Sequence, residues 1–177
     1  MGYTTQNWLD EGRAAVAVSN YALAQEDRMP TFTCFTSPGA LTPAQKDGIA
    51  RVCTDVYHEE FGLARYLIQV IFCEVAVGDR YIAGQPAPPD LIWIRCDLRE
   101  GRNERQKAKL LHRLRQGVAN AANVSDEAIW IYLCDIPPMN LMVWGHIMPT
   151  LVQGMPKDDT WFASLSDHMR ASLRPLV

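Results

Sequence analysis

Several things are missing from this 177-residue chain. No apolar run approaches the roughly 18–20 residues that a membrane-spanning helix needs. The mildly apolar segment 14–24 follows Asp10 and Glu11 and is broken by Ser19-Asn20, whereas a secretory signal needs a positive start and a continuous greasy stretch. A cytoplasmic protein without a membrane partner is therefore expected. Charge of one sign is also lacking: 17 Lys and Arg stand against 20 Asp and Glu, a formal net charge of -3. That balance gives no global electrostatic reason to expect nucleic acid. Metal-ligand spacing is missing too. The five cysteines (Cys34, Cys53, Cys73, Cys96, Cys134) contain no Cys-x-x-Cys, and the four histidines show no ligand-type pairing with them, so no zinc site is expected. Four of the cysteines fall in strand-like apolar runs and read as buried thiols in a reducing compartment.

What is present is ordinary for a globular protein: 48% hydrophobic and 21% charged residues. The length suits one domain with a sizeable core, or one domain plus an appendage. From residue 29 onward the pattern is regular. Pro30–Thr36 reads as a strand, and Ser37-Pro38-Gly39 as a turn. Thr42-Pro43 supplies an N-cap with proline at the first helical position. The helix from Pro43 to about Phe61 places Ile49, Val52, Cys53, Val56 and Tyr57 on one stripe, and Gly62 stops it. Tyr66–Val75 is a strand, Gly78-Asp79 breaks it, and Arg80–Ala83 is a short strand before a proline-rich loop at 84–90.

The order then recurs. Leu91–Leu98 reads as a strand, Asn103–Asn123 as a helix and Glu127–Ile136 as a strand. The second helix collects Leu110, Leu111, Leu114, Val118 and Ala121 on one face. Two successive strand–helix–strand units predict an α+β fold: a four-stranded sheet with both helices on one side. Ile136-Pro137-Pro138 closes the second unit, Asn140–Met148 forms a hairpin or an arm reaching a neighbour, and a helix over about 159–174 ends the chain. Residues 1–28 stand outside the repeat as an N-terminal extension to a domain at 29–177. They are helix-compatible around Trp8–Ala24, and represent either an appended helix or a start codon placed too early.

Three features carry chemistry. Met29-Pro30 opens its strand as though it began a protein. A proline with a free secondary amine is an acid or base near neutral pH, and the same residue inside a chain is an amide. Arg99-Glu100-Gly101-Arg102 sits where a strand gives way to a helix. Two guanidiniums beside the backbone N–H groups of a helix N-terminus suit an anion, with a carboxylate the natural guest; the alternative is a solvated, charge-rich connection. Tyr132 shares a strand face with Trp130 and Cys134, where a phenol holds a water, orients a substrate oxygen, or simply belongs to the core. His58 lies off the apolar stripe of its helix, at a surface or edge position.

In order and spacing, Met29-Pro30-Thr31-Phe32-Thr33-Cys34, Tyr66–Phe72, Leu98-Arg99-Glu100-Gly101-Arg102, Trp130-Ile131-Tyr132, Ile136-Pro137, Trp144-Gly145 and Trp161-Phe162 resemble the tautomerase superfamily, in the branch containing cis-3-chloroacrylic acid dehalogenase. The resemblance covers about residues 29–175. It implies a homotrimer of β-α-β-β-α-β protomers that needs no metal or organic cofactor and acts on a small anionic molecule. Pro30 would be the catalytic proline, Arg99 and Arg102 the carboxylate-binding arginines, and Tyr132 the tyrosine that positions or activates water. The implied chemistry is water addition to a small unsaturated acid, or keto–enol isomerisation of an oxo acid. Two positions depart from the branch. Its helix histidine falls on Tyr57, with His58 one place and about 100° of helical rotation away, which leaves Tyr57 as the catalytic candidate and His58 as a substrate-binding one. Its water-activating glutamate falls on Val143, which takes no proton, so isomerisation is expected to survive better than hydration or dehalogenation. The alternative is a catalytically impaired trimeric homologue that binds anions or partners.

Overall fold

A computed structural model describes residues 30–143, 146–147 and 166–173. The N-terminal extension, Trp144-Gly145, Trp161-Phe162 and the first part of the expected last helix lie outside the described residues. Strand β1 (Thr31–Thr36) leads to helix α1 (Pro43–Phe61), a short 3-10 turn (Arg65–Leu67) and β2 (Gln69–Glu74). A two-stranded ribbon, β3 (Tyr81–Ile82) and β4 (Gln85–Pro86), precedes β5 (Ile92–Arg99), α2 (Glu104–Ala122) and β6 (Ile129–Ile136). A second ribbon, β7 (Met142–Val143) and β8 (His146–Ile147), and helix α3 (Asp167–Leu173) follow. The sheet order is β2-β1-β5-β6. Its outer pairs are parallel and its central pair, β1 with β5, is antiparallel. This is the expected α+β architecture.

Both helices are closed by local chemistry. The Thr42 hydroxyl accepts from the Gln45 N–H, and the Gln45 side chain accepts from the Thr42 N–H. Asn103 and Gln106 repeat this capping box on α2. Each box satisfies two N–H groups that a helix start leaves without partners. Gly62 and Asn123 end the two helices in the left-handed conformation, which glycine and asparagine adopt at least cost.

One face of the sheet presents Phe32, Cys34, Ile92, Ile94, Cys96 and Leu98 to Ile49, Cys53, Val56 and Tyr57 of α1 and Leu110, Leu114 and Val118 of α2, forming one buried core. On α2, Ala119 and Ala122 are buried, whereas the expected Leu111 and Ala121 are half-buried. Ala121 faces Gly48 of α1, so the apolar face is shared between sheet and partner helix. Where the helices cross, a Cβ built on Gly117 would lie 2.5 Å from Val52 Cγ1, a close approach that only glycine allows.

The other sheet face carries no helix among the described residues. Phe35 stacks on Trp93 at 4.6 Å between ring centroids, and Ile71, Trp130 and Tyr132 are exposed beside them. Several strand boundaries differ from the sequence expectation: the first strand begins at Thr31, the 80–83 strand shrinks to Tyr81–Ile82, and the loop after it contains β4. The 66–75 strand yields its first residues to the 3-10 turn, the 91–98 strand runs one residue later, and the 127–136 strand begins at Ile129 after a 3-10 turn. In two of these places the Ala64 and Ser125 carbonyls accept from the Leu67 and Ala128 N–H groups, so the chain closes a turn there before the ladder starts. Among the described residues no helix is long and apolar enough to cross a membrane.

Candidate active site

The end of the sheet where β1 begins and β5 finishes gathers the polar residues. Thr31 stands opposite Asp97, which sets Pro30 beside the Leu98–Arg99 end of β5. Pro30 is buried, and its carbonyl accepts from the Gln69 N–H at 3.1 Å. Arg99, the last residue of β5, is opposite Ile136 and fully buried. The chain then continues the ladder through Glu100 N–H to the Ile136 carbonyl (3.0 Å). It turns at Gly101 with φ 113°, a backbone region that glycine alone occupies readily. Arg102 follows, immediately before the Asn103 cap of α2.

Arg102 is only 6% exposed, and its partners are neutral. Nη1 donates to the Arg99 carbonyl at 2.6 Å, and Nη2 donates to the Tyr57 hydroxyl. The guanidinium carbon lies 4.4 Å from the Phe61 ring centroid and 5.0 Å from that of Tyr57. Nε has no hydrogen-bond partner among the described residues. Burial lowers the Arg102 pKa, while Tyr57, Cys96 and Asp135 act in the opposite direction; an arginine nonetheless stays protonated. The result is a buried positive charge whose direct partners among the described residues are neutral oxygens and ring faces, with the Asp135 carboxylate acting on it from beyond ion-pair distance. Such a charge is costly to keep out of water and is relieved by an anion.

Tyr57 reaches Arg102 because α1 runs from the Thr42 cap to Gly62 without a break, and fifteen residues carry the ring from the cap to the core. It is fully buried, edge-on to Phe32 (6.0 Å) and tilted against Phe61 (4.8 Å). The structure therefore brings together Pro30, Arg99, Arg102 and Tyr57 at one end of the sheet. It places His58 elsewhere: the ring Nδ1–H donates to the Leu63 carbonyl at 2.7 Å, so this histidine closes the end of α1 instead of joining Arg102. Tyr132 is separate as well. It pairs in register with Arg95, four residues or about 13 Å along the strand from Arg99. It is 52% exposed on the helix-free face, edge-on to Trp93 at 5.4 Å. Val143, in β7 opposite His146, is half-buried and brings no carboxylate.

Phe61 was not among the residues that sequence reasoning singled out. The signal was present in its four-residue spacing from Tyr57, which puts two rings on one helix face.

The model of the Tautomerase_3 family, described as "Putative oxalocrotonate tautomerase enzyme", matches residues 29–165. The chain belongs to this tautomerase family. Among solved structures, this tautomerase-family chain is similar to N1, a member of the cis-3-chloroacrylic acid dehalogenase family, with 29% identity and a TM-score of 0.72 over 82% of this chain and 99% of that one. It is also similar to a fused 4-OT, a symmetric trimer, with 25% identity and a TM-score of 0.58 over 64% and 90% of the two chains. A native fused 4-OT at 23% identity shares the fold, with a TM-score of 0.61 over 67% and 95%. Comparison with curated proteins returned no match. The match begins at Met29, and the 28 residues before it lie outside the matched range.

Proposed function

We propose that this protein is a tautomerase-type isomerase acting on a small or medium-sized anionic oxo or enol acid. The observation that carries the reading is Arg102, a buried cation whose hydrogen-bond partners among the described residues are neutral, lying next to Arg99 at the Pro30 end of the sheet. A substrate carboxylate bound to the two guanidiniums would place its adjacent enol or carbonyl group toward Pro30. The reaction moves one proton from the enol oxygen to carbon, with no change in atoms or electrons. The arginines hold the carboxylate and draw charge from the conjugated system, while an acid–base group relays the proton. Pro30 serves as that group only as an N-terminal amine, which requires a mature chain that starts at residue 30, as initiation at Met29 and removal of that methionine would give.

Tyr132 lies too far from Arg99 to serve the same chain's site. A homotrimer, the state of the fused 4-OT noted above, supplies it from a neighbouring copy, and the helix-free face with Phe35, Ile71, Trp93, Trp130 and Tyr132 suits such an interface. A second reading is an anion-binding homologue without proline chemistry. It is favoured by the Pro30 nitrogen being an amide in the chain that starts at Met1, and by Val143 in place of a carboxylate.

The test is intact-mass determination of the N-terminus of protein from its own host, with an assay of phenylenolpyruvate and 2-hydroxymuconate ketonisation. A chain starting at Pro30 with turnover supports the enzyme. Turnover by a chain starting at Met1 or Gly2 removes the proline from the mechanism, and absence of turnover by the Pro30 form overturns the reading. Arg99→Ala or Arg102→Ala should raise KM about tenfold or more, as loss of a charge-assisted hydrogen bond predicts; unchanged kinetics in both would remove the carboxylate assignment.

A further inference from the structure

We propose that Phe61 is a positioning residue of the anion site, whose ring, with that of Tyr57, clamps the Arg102 guanidinium so that it is already oriented for a carboxylate. The inference rests on the anion-site reading above and adds a residue to it. A free arginine side chain has much rotamer entropy to lose on binding, so a guanidinium fixed beforehand binds its guest more tightly.

Three observations single out Phe61. Its centroid is the nearer of the two rings to the guanidinium carbon, 4.4 Å against 5.0 Å for Tyr57. Tyr57 is fully buried and Phe61 half-buried, so Phe61 is the more solvent-accessible of the two rings. The fold itself does not ask for an aromatic there. Phe61 is the last residue of α1 and Ala122 the last of α2, in helices of equal length with equivalent caps, and at the α2 end an alanine completes the packing.

The choice of a ring has a chemical reason. A carboxylate at position 61 would also fix Arg102, but it would form an ion pair and cancel the charge that the guest needs. A π face attracts the cation through its quadrupole and leaves the net charge in place. The two hydrogen-bond acceptors on Arg102, the Arg99 carbonyl and the Tyr57 hydroxyl, follow the same logic.

Phe61→Leu removes the π face and keeps an apolar side chain. The expected result is a KM about tenfold higher for 2-hydroxymuconate, the factor that a desolvated cation–π contact gives, with kcat within about twofold. Phe61→Tyr, which restores the ring, should return KM to the wild-type value, and thermal melting run in parallel confirms that both variants are folded. An unchanged KM in folded Phe61→Leu, or equal rises in the Leu and Tyr variants, overturns the proposal. A second measurement needs no turnover and separates failure of this inference from failure of the enzymatic reading. In the proton–nitrogen NMR spectrum of the wild-type protein, the Arg102 Nε–H should be shifted upfield by the ring current and exchange slowly with water. The same signal should move toward the free-arginine position in Phe61→Leu. A wild-type Arg102 signal at that free position overturns the clamp even if the enzyme is active, and a shifted signal supports it even if neither substrate turns over.

Discussion

At one end of the helix pair the residue before the N-cap is Leu41; at the other it is Arg102. The partners follow suit. Fifteen residues after each cap (42 to 57, 103 to 118) stand Tyr57 and Val118, and at the helix ends stand Phe61 and Ala122. Leu41, Val118 and Ala122 all belong to the apolar core. At their end, the Gln45 side-chain amide donates to the Ala122 carbonyl at 2.6 Å, and Gly48 and Ala121 meet closely. The repeat thus contains its own control. The fold needs only an apolar plug before each helix, and the second unit places a cation there with two rings against it. That substitution costs desolvation, which a role in binding, as proposed above, would explain.

The sharpest way to break the comparison is to rebuild the second end in the image of the first. Arg102→Leu combined with Tyr57→Phe should weaken binding of a carboxylate probe about tenfold or more, while the melting temperature stays within about 5 °C of wild type. Calorimetric titration and thermal unfolding read the two effects separately; a collapse in stability with no change in binding would show that Arg102 is structural. Next in size is the crossing itself. Gly117→Ala forces a methyl onto Val52 and should destabilise the fold by about 1–3 kcal/mol, even though alanine favours helices, with relief in the Val52→Ala, Gly117→Ala double variant. Denaturant midpoints decide this one.

Smaller still is the effect at the far end. Gln45→Ala removes the bond to Ala122 and half of the capping box. The expected loss is about 1–2 kcal/mol of stability, with KM unchanged because the proposed anion site is at the other end of the helix pair. The smallest effect concerns pH. Burial pushes the Glu60 carboxyl up, but hydrogen bonds and charge from Lys109 and Arg113 outweigh it and leave the group below its ordinary value of 4.5. A depressed folded pKa means that the stabilisation is present above the unfolded value and disappears as the pH falls through the folded one. Glu60→Gln should therefore flatten part of the acid limb of a stability–pH curve and leave the neutral plateau slightly lowered.

Much of this was legible in the residues. Thr42-Pro43, Gly62, Asn103 and Asn123 bounded the helices because caps act over three or four neighbours and leave a local trace. The Arg99–Arg102 turn was legible for the same reason. Other features were not. Phe61 touches Arg102 across 41 positions of chain, and nothing near Phe61 in the sequence announces a cation. The release of His58 to Leu63 depends on how the chain leaves Gly62. The separation of Tyr132 from Arg102 follows from strand order and register, which alternation alone does not reveal.

That separation also has a genetic meaning. If the arginines of one copy work with the tyrosine of the next, competence is a property of the contact between chains. Two variants that are each inactive, one lacking Arg102 and one lacking Tyr132, would then repair each other when unfolded together and reassembled. With equal amounts and random assortment, about one site in four would again hold both residues.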